Sequence, residues 1–162
     1  MRIIRVVATL LLLINLTACT SLGISNNKIE AHRLENSVSN YYYYMEVKDT
    51  ENIYELLSPW LKKSISRDDY IGDLNKLYSF VDFKRPKNTK IIFIKNKIAI
   101  TEAELVVIFN DPPAGEDIIV VGCERTLWLK FPDGWYVHKP NLSCDYMLNK
   151  EEMNRLIKNL PK

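Results

Sequence analysis

Two long runs in the second half of this chain restrict most strongly what it can fold into. Ile98 to Phe109 and Asp117 to Phe131 contain no proline and are rich in Ile, Val, Thr and aromatic residues; Asn110-Asp111-Pro112-Pro113-Ala114-Gly115, a loop by composition, separates them. Ile91-Ile92-Phe93-Ile94 leads into the first run through an Asn96-Lys97 turn. Pro132-Asp133-Gly134 turns the second run into Trp135 to Lys139. That tripeptide suits a type I turn followed by a left-handed glycine, a three-residue hairpin loop. The expectation is an antiparallel meander.

The first half has the helical period instead. Lys28 to Lys48 holds no Gly or Pro, and Leu34, Val38, Tyr41 and Met45 form one apolar stripe. Among four consecutive tyrosines, Tyr41 falls on the stripe, Tyr42 and Tyr44 flank it, and Tyr43 faces away. Most of them are expected in the core, with Tyr41 and Tyr44 as candidates to reach a pocket. A short helix fits Glu51 to Leu57, closed by Ser58-Pro59, where Pro59 can open another turn. A further helix begins at Ser66 with Asp69 as the capping-box acid, and its face carries Tyr70, Leu74, Leu77 and Val81. Lys150 to Asn159, with Met153, Leu156, Ile157 and Leu160, reads as a last amphipathic helix.

The N-terminus is a targeting segment. Arg2 and Arg5 precede an apolar run from Val6 to Leu16, too short for a span that needs about 20 residues. Leu16-Thr17-Ala18-Cys19 resembles the lipobox of bacterial lipoproteins, which implies cleavage before Cys19 and lipid, including palmitate, on that cysteine. Residues 1–18 are then a signal peptide, 19–27 a small, polar tether, and 28–162 one domain. With Thr20 rather than aspartate after the cysteine, the lipoprotein resemblance implies, for a Gram-negative cell, sorting to the outer membrane with the domain facing the periplasm. Of the 22 Lys and Arg, two lie in the leader, and the remaining ones equal the 20 Asp and Glu. A neutral mature chain gives no electrostatic case for nucleic acid.

Helices followed by an antiparallel meander define an α+β chain. A long first helix, shorter ones after it, and Leu127-Trp128-Leu129-Lys130-Phe131-Pro132-Asp133-Gly134-Trp135-Tyr136-Val137 resemble the nuclear transport factor 2-like, or cystatin-like cone, superfamily over about Lys28 to Pro140. The resemblance implies a curved sheet wrapped around the long helix. Its members include isomerases and dehydratases, and many only bind or dimerise.

Chemistry has few carriers. His32 and His138 are the two histidines, and Cys123 and Cys144 lack metal-ligand spacing. No metal or cofactor is expected. A cone enzyme needs a carboxylate base, for which Glu104 and Glu124 are the alternatives, with Arg125 as a further pocket candidate. Both faces of Ile98 to Phe109 are partly apolar, so strand phase leaves open which face points inward. The main expectation is a non-catalytic, lipid-anchored binding or assembly module with an envelope protein or a second copy as partner. The alternatives are a small-molecule lyase or isomerase and an immunity lipoprotein that binds a toxin.

With Cys19 carrying lipid, Cys123 and Cys144 remain as an even pair in an oxidising compartment. If Phe131 faces Trp135 or Tyr136, the continued register brings Cys123 opposite or next to Cys144, and a disulfide is expected. For the anchor, Cys19→Ser should release the protein from membranes or leave the precursor uncut. Unchanged membrane fractionation and gel mobility of that variant would contradict the lipobox.

Overall fold

The computed structural model describes residues 28–110 and 118–161. The leader, the lipobox, the tether and most of the proline-containing loop lie outside them. The chain divides into two compact units, Met1–Arg33 and Leu34–Lys162. Of the first, residues 28–33 are described; they are helical and carry an Arg33–Glu30 ion pair at 3.3 Å. The second holds everything below from residue 34 on. No helix among the described residues is long and apolar enough to cross a membrane.

Helix α1 (28–46) is followed by α2 (Thr50–Glu55), α3 (Pro59–Ser64) and α4 (Arg67–Phe80). Strands β1 (Val81–Lys84), β2 (Thr89–Lys95), β3 (Ile98–Phe109), β4 (Ile118–Phe131) and β5 (Gly134–Leu142) come next, and α5 (Lys150–Asn159) ends the fold. Caps set several helix starts: the side chains of Ser58, Ser66 and Asn149 accept from the N–H groups of Leu61, Asp69 and Glu152. Pro59 opens α3 as its position predicts.

The five strands pair antiparallel, in the order β1-β3-β4-β5 with β2 also on β3, and Leu57 adds an isolated parallel bridge to Val137. Strand β3 is long enough to share one edge between two partners. Thr89–Lys95 pairs with its first half and Val81–Lys84 with its last four residues. The other exposed edge, on β5, is tied down at Val137, whose N–H donates to Leu56 O at 2.8 Å and whose carbonyl accepts from Ser58 N at 2.7 Å. Those bonds cover unpaired backbone that would otherwise template association.

Each face of the sheet has its own core. Ala99, Ala103, Leu105 and Trp128 pack against Leu34, Val38, Tyr41, Tyr42 and Met45 of α1 and Tyr78 of α4. The alanines explain why the helix docks here, because small side chains on β3 leave room for a row of tyrosines. Ile98, Ile100, Leu127, Leu129 and Phe131 on the opposite face pack against Leu156 and Leu160, with Trp60 and Met153 alongside. The C-terminal helix thus covers the outer side of the closed end.

Four expectations need correction. Val81 begins β1 and is not the last turn of α4; Val81 and Phe83 alternating with Asp82 and Lys84 carry the strand period that separates them from the helix. Leu77 is 43 % exposed, and Tyr78 takes its place in the core beside Tyr70, Ile71 and Leu74. The hairpin loop has two residues, since Phe131 pairs with Gly134 and the left-handed glycine is absent. Lacking a positive φ at Pro132 or Asp133, it closes as a type I turn allows. Finally, β5 runs past Lys139 to Leu142. It passes Pro140 because the β4–β5 register slips twice between Trp128 and Arg125, where a missing N–H costs no ladder bond.

Trp128 is completely buried and its indole N–H donates to Thr101 Oγ1 at 2.8 Å. Thr101→Val should cost about 1–3 kcal/mol by orphaning that donor, and much less in a Trp128→Phe background. Urea denaturation of the four proteins checks this, and an equal cost in both backgrounds would contradict it.

Candidate functional site

Antiparallel pairing of β3 with β4 puts Ala103 opposite Glu124, Thr101 opposite Thr126 and Ala99 opposite Trp128. These pairs share the face that meets α1, so Glu124 points into the cone. It is 4 % exposed. Its Oε1 accepts from Thr126 Oγ1 at 2.8 Å and from Asn141 N at 3.3 Å, whereas Oε2 is buried without a hydrogen-bond partner. Tyr42 Oη is a second buried polar atom, with Thr126 as its polar neighbour. Glu124 Oε2 is the kind of group for which a protein interior normally supplies a partner.

Burial pushes the Glu124 carboxyl above its ordinary value, partly offset by the two donors to Oε1. Tyr41 and Tyr42 are raised as well, first by burial and then by Glu124 itself. Behind them burial pushes Tyr70 up to about 12. The phenols therefore stay protonated, and Glu124 is the acid of this cluster, holding its proton more tightly than an ordinary carboxyl.

A groove of about 330 Å³ opens beside the carboxyl, lined by Leu105, Val107, Val120, Gly122, Cys123, Glu124 and residues 141–143. Its room comes largely from Gly122, where an added Cβ would meet nothing within 4 Å. The walls are mostly apolar, and among the described residues Glu124 is the one carboxyl in them. This combination of an apolar cleft with one perturbed acid is the usual form of a small-molecule site.

The other site candidates fall elsewhere. Tyr41 is buried in the cone, edge-on to Trp128 with ring centroids 5.9 Å apart, while Tyr44 is half-buried and lines no part of the groove. Glu104 is exposed on the opposite face of the sheet, in a hollow of about 350 Å³ shared with Lys90 and Glu102. It cannot act as the base of the cone. Arg125 also lies on that opposite face. There it grips Oε2 of its register partner Glu102 through Nε at 3.0 Å and Nη2 at 2.8 Å, and it donates to Tyr146 O at 2.8 Å.

The cysteines come together. Cys123 and Cys144 have Cα atoms 5.9 Å apart and their sulfurs meet, a separation that suits a disulfide. Glu102 is near enough to complete a three-ligand cluster with the two sulfurs. The pairing of the thiols and the hold of Arg125 on Glu102 occupy all three groups. His138 sits away from the groove, where its Nδ1 is 3.1 Å from Ser58 Oγ and its ring meets Trp60. Ser58 is wholly buried and serves as the cap of α3, so this pair is structural.

Known solved structures share this architecture. A candidate scytalone dehydratase from Novosphingobium aromaticivorans aligns at TM-score 0.54 with 17% identity, over 78% of this chain and 93% of its own. A candidate dehydratase of the nuclear transport factor 2-like family from Streptomyces avermitilis aligns at 0.57 with 12% identity, over 74% and 99%. A protein from Kribbella flavida aligns at 0.57 with 13% identity, over 79% and 99%. The chain has the nuclear transport factor 2-like cone fold. Identities this low speak for the fold alone. No family model and no curated protein matches the chain.

Thr126, Asn141 and Gly122 join the site although they were not among its expected residues. Thr126 and Gly122 share strand phase with Glu124, which is the signal that finds them once the inner face is known. Asn141 gives no such signal, because a register slip places it.

Since the folded protein holds the Glu124 proton more tightly than the unfolded chain, the sign of its pH dependence is fixed. Its contribution is present below the ordinary value of 4.5 and is lost as pH rises through the folded value. Glu124→Gln should therefore gain stability relative to the wild type as pH rises from about 4 to about 8. Urea midpoints at both ends measure this; a difference independent of pH would contradict the buried carboxyl.

Proposed function

We propose that this domain is a small-molecule lyase or isomerase that uses Glu124 to move a proton on a substrate seated in the cone. The observation that carries the reading is the buried, partnerless Oε2 of a carboxyl with raised affinity for protons, set in the wall of an apolar groove. A carboxylate kept from water is a stronger base than one in solution, and its protonated form can return the proton to a neighbouring carbon or leaving oxygen. The dehydratase assignments of the similar structures point the same way. We infer further that the leader sends the domain to the cell envelope, where lipid on Cys19 holds it at the outer membrane.

A second reading, a non-catalytic binding or assembly module, has one observation in its favour. The inner end of the cone is filled by Tyr41, Tyr42, Tyr78 and Trp128, which leaves the groove as the space for a ligand.

Two substitutions separate the readings. Gly122→Leu should fill the groove without disturbing the core, and Glu124→Gln should remove the base without changing its shape. Each should abolish hydrogen–deuterium exchange at the α-carbon of small cyclic ketones, measured by proton NMR in D₂O, while Glu104→Gln retains it. Wild-type protein that exchanges no such proton, or a Glu124→Gln protein as active as the wild type, would favour the module.

A further inference from the structure

The two cysteines lie beside the candidate base. Cys123 directly precedes Glu124 on β4, and Cys144 follows Asn141, the donor to Oε1, by three residues. The backbone between them is irregular. The β4–β5 register slips twice just before this point, and Asn141 has a φ of 55°. Residues at such slips leave the regular ladder, and a left-handed non-glycine residue persists only where its surroundings hold it. The ladder resumes at Arg125 with Leu142, and the Asn141 N–H just before it donates to the carboxyl. A tie from Arg125 to Tyr146 O holds the chain farther along, two residues beyond Cys144.

We propose that the Cys123–Cys144 cross-link is a positioning device for Glu124: it locks residues 141–143 against β4, so that the Asn141 N–H occupies Oε1 and Oε2 is left as the free oxygen. This rests on the reading of Glu124 as the proton-moving group of the groove. The same three residues form one wall of that groove, so the link would shape the ligand space and orient the base together. Asn141 and the cysteines act through Glu124 and need not touch the substrate.

The neighbours of Glu124 allow the consequence to be worked out. From α1 it faces Tyr41 and Tyr42, with Tyr70 and Tyr78 of α4 behind Tyr41. Strand β3 presents Ala103 opposite it, and Arg125 and Glu102 lie on the other side of the sheet. Burial and two hydrogen bonds, not a nearby cation, govern its proton. Once the link is cut, water reaching Oε1 can replace the Asn141 N–H as a donor. Burial, the larger influence, then weakens, and the carboxyl returns toward its ordinary acidity.

The test is NMR on the full mature protein, comparing the wild type with Cys123→Ser/Cys144→Ser. In the wild type the Asn141 amide should be protected from hydrogen exchange. In the double variant that protection should fall by about tenfold or more, and the Glu124 carboxyl titration should move down toward 4.5. Amides of Leu127 and Trp128, deep in the ladder, should keep their protection. Asn141→Gly retains both the N–H and the left-handed backbone, so its Glu124 titration should match the wild type. An identical Glu124 titration with and without the link, or a shift in Asn141→Gly as large as in the double variant, would overturn the proposal. Should the double variant not fold, wild-type exchange decides: an Asn141 amide that exchanges freely in the cross-linked protein overturns it, and a protected one supports it. Neither readout depends on turnover, so an absence of activity would count against the proposed reaction and not against the role of the link.

Discussion

The docking of a tyrosine-bearing helix on a patch of small residues is the contact on which the rest of the structure depends. Ala99 and Ala103 leave space on β3, and Tyr41 and Tyr42 of α1 fill it against the buried Trp128. An apolar sheet face beside an apolar helix stripe removes a large area from water, the dominant favourable term in folding. That contact also decides which face of the sheet is inside. Once Trp128 is inside, strand alternation carries Thr126 and Glu124 inside with it, and it sends Arg125 and Glu102 out.

Burying Glu124 in this way opposes stability, because a carboxylate taken from water loses its solvation. The fold offsets part of that cost with Thr126 and Asn141 on one oxygen and leaves the other without a partner. A chain selected for stability alone could place an apolar residue opposite Ala103. The retained acid, in the wall of a groove that Gly122 lines, is the feature on which the proposed proton transfer rests.

Much of the fold was legible in the sequence, since it rests on local rules. The periods of 28–46 and 98–109, the caps at Ser58 and Ser66, and the apolar face of the last helix are written in residue order. The site was legible only in outline. Glu124 stood as one of two carboxylates, and strand phase could not separate them because Ile98 and Ile100 make the outer face as apolar as the inner one. The outer face is apolar because α5 covers it, and a contact between residues so distant in sequence leaves no local trace. The expected hairpin register was off by one or two residues at the Pro132-Asp133 turn, yet Cys123 and Cys144 still meet. The two slips between Trp128 and Arg125 make up the difference. Asn141 reaches Glu124 through the same slips, which is why it could not be anticipated.

The groove beside Glu124 is the proposed place where a ligand binds. Amide chemical shifts of the isotopically labelled protein, followed while cyclohexenone is added, test it most directly. The account predicts saturable shifts at Val107, Val120, Gly122, Glu124 and Leu142, lost in Gly122→Leu. Shifts confined to the outer face around Lys90 and Glu104, or shifts that persist unchanged in Gly122→Leu, would contradict it.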